Sequence, residues 1–388
     1  MKKRHKALLV LLFIVVGLPF LLWLSWLLTT PRPIAVFIMD KTSYSVARAQ
    51  NRALNWVLTH YRFVKPDGRL YNALTDYYGF YPVDDHRYEL NDLSQLNQRE
   101  LQRLAIQYHM AYFADSYGVY TDMWPEEVPG MMPAQKLYGG LVWQDLYFLQ
   151  EMIDRDRLVI AEFIFMSPPT TPAHRLQAEG LFGMQWQGWT GKFFHTFNPE
   201  EEKSVPPWVP VLYQQQYQQP WNPEGEGIIL VHEDETLVVL QYPTHLNFNR
   251  PRIITGREDR RRFGVSNKIA YPGWFDITFP TGANKKVVSW FELDLTPQGR
   301  ALCEQYGLPE RFPAVISQDD LNRMYYFAGD FGFSPLRKRF VKVKASRYFE
   351  LFLADLNDPT DKNAFFFAYY LPMMRRILGE YQADLLRD

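Results

Sequence analysis

Residues 158–165 read LVIAEFIF, an apolar run interrupted by one acid, Glu162. Runs of this kind suit strands covered on both faces, as in a parallel sheet, rather than the alternating pattern of a sheet with one wet face. Two earlier stretches match it. Residues 34–39 (IAVFIM) end in Asp40-Lys41-Thr42, and residues 108–114 (YHMAYFA) end in Asp115-Ser116-Tyr117-Gly118. Helical spacing lies between and after them. Ala49, Ala53, Trp56 and Val57 share one face over 46–60, and 93–103 reads as a helix capped by Asn91 or Asp92. Residues 141–154 are amphipathic, and 171–182 carry Pro172 in a first helical turn. Strand, helix, strand, helix, strand, helix implies a parallel α/β sheet with helices on both faces. Residues 71–82 (YNALTDYYGFYP) and the Pro/Met-rich 123–133 read as loops.

The second half turns to antiparallel pieces. Residues 206–219 predict a short surface helix. Residues 227–230 and 237–242 flank His232-Glu233-Asp234-Glu235 as a hairpin, and 276–279 with 287–293 read as a further strand pair. A helix follows over 296–305, ended by Gly307, then short strands at 313–316 and 324–328 with Asp319-Asp320 in their turn. Residues 364–381 close the chain as a helix interrupted by Pro372.

The N-terminus has its own character. MKKRHK is followed over residues 7–28 by ALLVLLFIVVGLPFLLWLSWLL, without a charge. A helix of this length spans a hydrocarbon core of roughly 30 Å. The basic residues precede it, so the spacing predicts an uncleaved single-pass anchor in the inner or plasma membrane. Residues 1–6 would be cytoplasmic and the main domain extracytoplasmic. A cleaved signal peptide is the rival reading, but no A-x-A-like site follows the run. Residues 29–33 (TTPRP) form a short stiff linker, and residues 364–381 are too short and polar for a second span.

Composition narrows function. The formal charge is −1 with both signs interspersed, leaving no basic stripe of the kind nucleic acid requires. The basic runs at 257–262 (REDRRR) and 337–344 (RKRFVKVK) are short, and read as solvated faces or a polyanion contact. Cys303 is the single cysteine, so no intrachain disulfide forms. Aromatic residues make up 16% of the chain, enough to serve both a core and sugar-stacking loops.

The local patterns and their order resemble the class I glutamine amidotransferase-like superfamily, a flavodoxin-like α/β fold. The nearer likeness is to its degenerate branches: trehalose-utilisation-like domains and the trimerisation domain of some β-galactosidases. Three patterns carry it: Ala114-Asp115-Ser116-Tyr117-Gly118 followed by Gly139-Gly140-Leu141; Val159-Ile160-Ala161-Glu162 leading to Arg175, Glu179 and Gly183; and Pro313-Ala314-Val315-Ile316 followed by Tyr326-Phe327-Ala328-Gly329-Asp330. The chain is also similar to a group of uncharacterised bacterial membrane-anchored proteins sharing the words D-K-T, D-Y-Y-G-F and G-W-T-G. The resemblance implies one domain over 34–330 with a β-rich insertion at about 225–295, and a helical extension over 331–388. A working amidotransferase places a nucleophilic Cys at a strand-to-helix elbow, activated by His and a carboxylate. Cys303 lies inside a predicted helix instead, as a small buried residue.

In parallel sheets function gathers beyond the carboxyl ends of the strands. Asp40, Asp115 and Glu162 stand there as candidates for general acid and base, or alternatively as caps for loop and helix amides. Lys41, Tyr78, Tyr117, Arg175, Trp189 and Asp330 are candidate ligand contacts. Four have a structural alternative: Lys41 can pair with Asp40, Arg175 with Glu179 one helical turn on, Trp189 can be core, and Asp330 can belong to a turn. His232 and His245 sit on separate segments, and no H-E-x-x-H occurs, so no metal is expected. No phosphate-binding loop, G-x-G-x-x-G or G-x-S-x-G supports a nucleotide, another cofactor or serine hydrolysis. The leading expectation is a binding or accessory module for cell-envelope or surface glycans. The alternatives are a glycan hydrolase using the strand-end carboxylates and a structural subunit docked on a membrane protein partner.

Overall fold

The computed structural model describes residues 6, 13–45, 51–84, 87–124, 134–201, 205–318, 323–332, 341–353 and 361–387. The strands of its two larger sheets are β1 (Val36–Asp40), β2 (Tyr78–Asp84), β3 (Arg87–Asn91), β4 (Met110–Asp115), β5 (Leu158–Glu162), β6 (Met184–Phe194), β7 (Gly227–His232), β8 (Leu237–Gln241), β9 (Arg252–Thr255), β10 (Lys268–Ala270), β11 (Trp274–Pro280), β12 (Lys285–Glu292), β13 (Arg311–Gln318) and β14 (Met324–Phe327). Its helices are α1 (Leu18–Leu27), α2 (Arg52–His60), α3 (Gln98–Gln107), α4 (Trp143–Asp154), α5 (Pro172–Phe182), α6 (Trp208–Tyr217), α7 (Arg257–Phe263), α8 (Pro297–Gln305), α9 (Ser346–Leu353), α10 (Lys362–Phe365) and α11 (Leu371–Leu385).

The three apolar runs become β1, β4 and β5, and every residue in them is buried. They form the middle of a ten-stranded mixed sheet ordered β10-β9-β12-β13-β14-β5-β4-β1-β2-β3, in which β14 through β2 run parallel. Side chains of successive strand residues point to opposite faces. Phe113 packs edge-on against Phe165 and beside Phe37, which meets Phe148 of α4. The neighbouring Tyr112 instead reaches Tyr370, on a π-helical turn (Phe366–Tyr370) that leads into α11. Two helix layers result: α3, α4 and α5 pack in succession, and α11 packs against α2 and α7. This is a mixed α/β architecture consistent with a flavodoxin-like fold, with antiparallel strands added at one side.

A second, four-stranded antiparallel sheet runs β8-β7-β6-β11. It is tied to the main sheet at the carboxyl end of β14: Asp276 N donates to Ala328 O and Asp330 N to Trp274 O, each at 2.9 Å. That junction sets a wall beside the rim where the parallel strands end.

Several sequence expectations are corrected. Residues 276–279 and 287–293 are both strands but not a pair: β11 lies against β6, while β12 lies between β9 and β13. Residues 78–82, read as loop, begin β2, which joins β1 in parallel only through Tyr78 and Gly79 and then forms an edge hairpin with the exposed β3. Gly188-Trp189-Thr190-Gly191, whose spacing of glycines around an aromatic residue reads as a tight turn, is strand instead. It lies within β6 at a bulge between Trp186 and Thr190, with Gly188 at φ 83°. The helix read from 93 starts at Gln98, and its cap is Asn97, not Asn91 or Asp92. Asn97 and Glu100 form a reciprocal capping box. Asn97→Ala is expected to cost about 1 kcal/mol, read as a shift in the urea midpoint at unchanged slope.

Phe13–Gly17 and α1 are helical, and among the described residues no helix is long and apolar enough to cross a membrane. Residues 7–12 of the apolar run lie outside the described residues. So do 46–50 of the first predicted helix, 125–133 of the Pro/Met-rich segment, Asp319-Asp320, and 337–340 of the second basic run.

Candidate functional site

The acids at the strand ends meet three different environments. Asp40 is fully buried, and its carboxylate accepts from Ser43 Oγ at 2.5 Å, Asn51 N at 3.1 Å and Thr42 N at 3.3 Å. It ties the turn after β1 to the start of α2. Lys41 is 2% exposed, with its Nζ 2.6 Å from Asp145 Oδ2 and 2.9 Å from Gly140 O. It is a buried clamp between β1 and the segment entering α4, and it does not face a ligand space.

Asp115 is held differently. Its Oδ1 accepts from Thr42 Oγ1 and from Tyr117 N, both at 2.7 Å, and Thr42 Oγ1 accepts from Gly118 N at 2.8 Å. Burial pushes the Asp115 carboxyl up to about 8 against these bonds, with repulsion from Asp40 and Asp330 adding to the rise. Asp115 therefore carries a proton at neutral pH. Asp115 and Asp330 both line a cavity of about 490 Å³ at the rim.

Glu162 points away from that cavity, into the face covered by the C-terminal helix. Tyr112 OH donates to its Oε1, Gly332 N donates to Oε2 at 2.8 Å, and Tyr370 OH lies 2.7 Å from Tyr112 OH. Burial lifts its carboxyl well above the ordinary range, and Asp330 and Asp115 reinforce the shift. Asp276, on β11, is a further buried acid and accepts from Tyr326 OH, Thr278 Oγ1 and Ile164 N. Burial raises it to about 6.

The cavity walls come from distant segments. Thr42, Asp115 and Tyr117 supply the rim side, and Trp186, Thr190 and His232 the second-sheet side. Trp208 of α6 and Trp274 of β11 add two half-buried indoles. Ile164 projects into the same space from the elbow after β5, at φ 65°. A β-branched residue rarely occupies the left-handed region. Asp276 holds its N–H at 3.2 Å, and Ser116 Oγ donates to its carbonyl at 3.0 Å, so the elbow is fixed from both sides. The elbow thus presents an aliphatic side chain, not a nucleophile, to the cavity. Cys303 lies buried in α8, its thiol pushed by burial to about 12.

The remaining sequence candidates separate. Arg175 does not pair with Glu179. Its guanidinium meets Glu233 at 2.5 Å and stacks 5.2 Å from the Trp186 ring, behind the cavity wall, while Glu179 accepts from Trp186 N. Trp189 is 7% exposed and packs against His232, which bonds Asp234 at 2.8 Å. Tyr78 stacks on Phe37, with its hydroxyl 3.1 Å from Tyr108 OH, away from the cavity. Trp186, Trp208, Trp274 and Thr42 were not singled out in the sequence. No spacing links the three tryptophans, which meet only through the second sheet. Among the described residues no group of three His, Cys, Asp or Glu is placed to hold a metal ion.

No family model and no curated protein matches the chain. Among solved structures it is similar to a glutamine amidotransferase from Thermotoga maritima, with 6% identity, a TM-score of 0.38, and coverage of 90% of this chain and 98% of that one. It is also similar to ThuA-like proteins from Bacteroides uniformis (10% identity, TM-score 0.34, coverage 78% and 86%) and Parabacteroides merdae (13%, 0.34, 77% and 79%).

Proposed function

We propose that the rim cavity binds a glycan of the cell envelope or surface, on an extracytoplasmic domain held by an uncleaved N-terminal anchor. The observation that carries this reading is the lining: Tyr117, Trp186, Trp208 and Trp274 stand around Asp115 and Asp330 in one space of about 490 Å³. Sugar rings present C–H faces that stack on aromatic rings, and hydroxyls that bond to carboxyl groups. A protonated Asp115 can donate to a sugar oxygen as well as accept from a hydroxyl. Ile164 at the elbow and the buried Cys303 argue for binding over amide hydrolysis.

A hydrolase is the second reading, favoured by one specific observation. An acid held protonated near neutral pH shares a cavity with a second carboxyl group, Asp330, the pairing that glycosidic bond cleavage uses. A glycan array probed with the full chain in detergent, with reducing-end release measured on each hit, separates the readings. Binding without release is expected, weakened tenfold or more by Trp274→Ala and by Asp115→Asn. Release that disappears in Asp115→Asn would establish the hydrolase instead. An array with no hits would overturn both, leaving the structural-subunit reading with a membrane protein partner.

A further inference from the structure

A second cavity, of about 590 Å³, opens at the foot of the domain between α1, α2 and residues 341–343. Its wall includes Trp23 of α1, Arg52 and Asn55 of α2, Asn72, and Lys342. Buried Asn55 Nδ2 has no hydrogen-bond acceptor among the described residues. Beside the cavity, Arg62 and Lys342 both lie over the Trp26 ring, at 5.1 and 5.5 Å. Lys344 feels Arg32 and Arg375, and the buried His60 feels Lys344 and Arg375. A chain of formal charge −1 has thus gathered cations at one end. Asp67 and Asp76, the acids felt by Tyr71 on the cavity wall, are already paired with Arg69 at 2.6 Å and Lys65 at 3.0 Å.

The helix that forms one wall is apolar on its outer side. Phe13, Ile14, Phe20, Leu21, Leu27 and Leu28 are each between 44% and 76% exposed. Exposed apolar side chains next to a cavity lined by Arg52 and Lys342, with further cations beside it, match the two ends of one kind of molecule. We propose that this cavity holds the phosphate headgroup of an anionic phospholipid, with the lipid's acyl chains lying along α1. Lys342 faces the phosphate and Arg52, which also holds a contact within the protein, borders it; Asn55 and Asn72 offer amide donors to the headgroup's glycerol oxygens, and Trp23 marks the depth of the interface. The inference rests on the membrane-anchored reading of residues 7–28.

Native mass spectrometry of the full chain, released from nanodiscs of phosphatidylcholine doped with phosphatidylglycerol, tests it. Retention of phosphatidylglycerol over phosphatidylcholine is expected. Lys342→Gln is expected to lower the selectivity about fivefold, and Arg52→Gln with Lys342→Gln roughly 25-fold. A thermal melt of each variant separates lost binding from lost folding, and the exposed Lys342 supplies the variant least able to disturb the fold. Equal retention of the two lipids, selectivity unchanged in the double variant, or inorganic phosphate competing as well as the lipid would overturn the headgroup site. Carbonate extraction of cell membranes tests the anchor separately. A chain released by carbonate would remove the anchor reading even if lipid selectivity in nanodiscs persisted.

Discussion

Raising the pH from 6.5 to 8 is expected to destabilise the folded chain by about 2 kcal/mol through Asp115 alone, with a full effect on the order of 5 kcal/mol across pH 4 to 8. Asp115 titrates near 8 when folded, against about 3.9 in an unfolded chain. Between those values the folded state holds a proton that the unfolded state has released. The stability from that proton is complete below pH 4 and is lost as the pH rises through 8. Glu162 acts in the same direction, and Asp276, raised to about 6, does so within the lower part of the range. His60 opposes them. Burial lowers it to about 4, so its contribution is present above about pH 6.5 and is lost as pH falls through 4. The window from 6.5 to 8 therefore favours the carboxylates, with His60, His109 and His245 opposing them through the upper tail of their unfolded titration. Urea titrations at half-unit steps should show the midpoint falling across it, and Asp115→Asn should flatten the curve. A midpoint that rises with pH there would contradict the assignment. Asn at 115 is thus expected to strengthen the fold at pH 8 while it weakens ligand binding, the exchange expected where a site keeps a costly group for its chemistry.

Lys41→Met is expected to cost 3–5 kcal/mol, on the order measured when one partner of a buried ion pair is removed. The substitution fills the same space but leaves Asp145, 1% exposed, with a charge that, among the described residues, only Val142 N, at 2.9 Å, still answers. It also takes the donor from Gly140 O, releasing the segment that leads into α4. Lys41→Met combined with Asp145→Asn should recover most of the loss, because the buried charge goes with its partner. A single variant as stable as the parent, or a double variant no better than the single, would show that the pair does not hold this junction. Because Asp115 O accepts from Lys41 N at 2.9 Å, the single variant should also disturb the rim, and with it the ligand binding proposed there.

The sequence made the centre of the sheet legible and left its margins obscure, for physical reasons. Strands β1, β4 and β5 are buried on both faces, so burial alone writes them as unbroken apolar runs. Thr171 and Thr296 sit at helix starts immediately before a proline, and each accepts from the backbone three residues on. Strand β2 has no such mark: its outer residues are exposed, and aromatic side chains there serve a hairpin as well as a loop. The start of α3 was misplaced because Leu93 is buried and attracts a helical reading, although the Asn97 to Glu100 spacing was available as the better signal. At the site, strand ends located Asp115 and Asp330 but could not say that Glu162 turns to the opposite face, toward Tyr112 and Tyr370. The tryptophan walls were beyond reach, because β6 and β11 meet across some ninety positions of chain with no local trace of the pairing.

The route from α1 into the sheet has a mechanical consequence. Arg32 and Pro33 pair in parallel with Phe63 and Val64, so little chain separates the end of the helix from the first ladder. Trp26 donates its indole N–H to Thr59 O and His60 O at 3.2 and 3.1 Å, and Arg62 reaches the carbonyl of Leu27. A swivel needs slack, and this joint has little. Torque applied to the helix passes to the sheet, so the two move as lever and load. Spin labels placed on α1 and on the exposed β3 of the main sheet should give one narrow distance distribution, where a tethered domain would give a broad one.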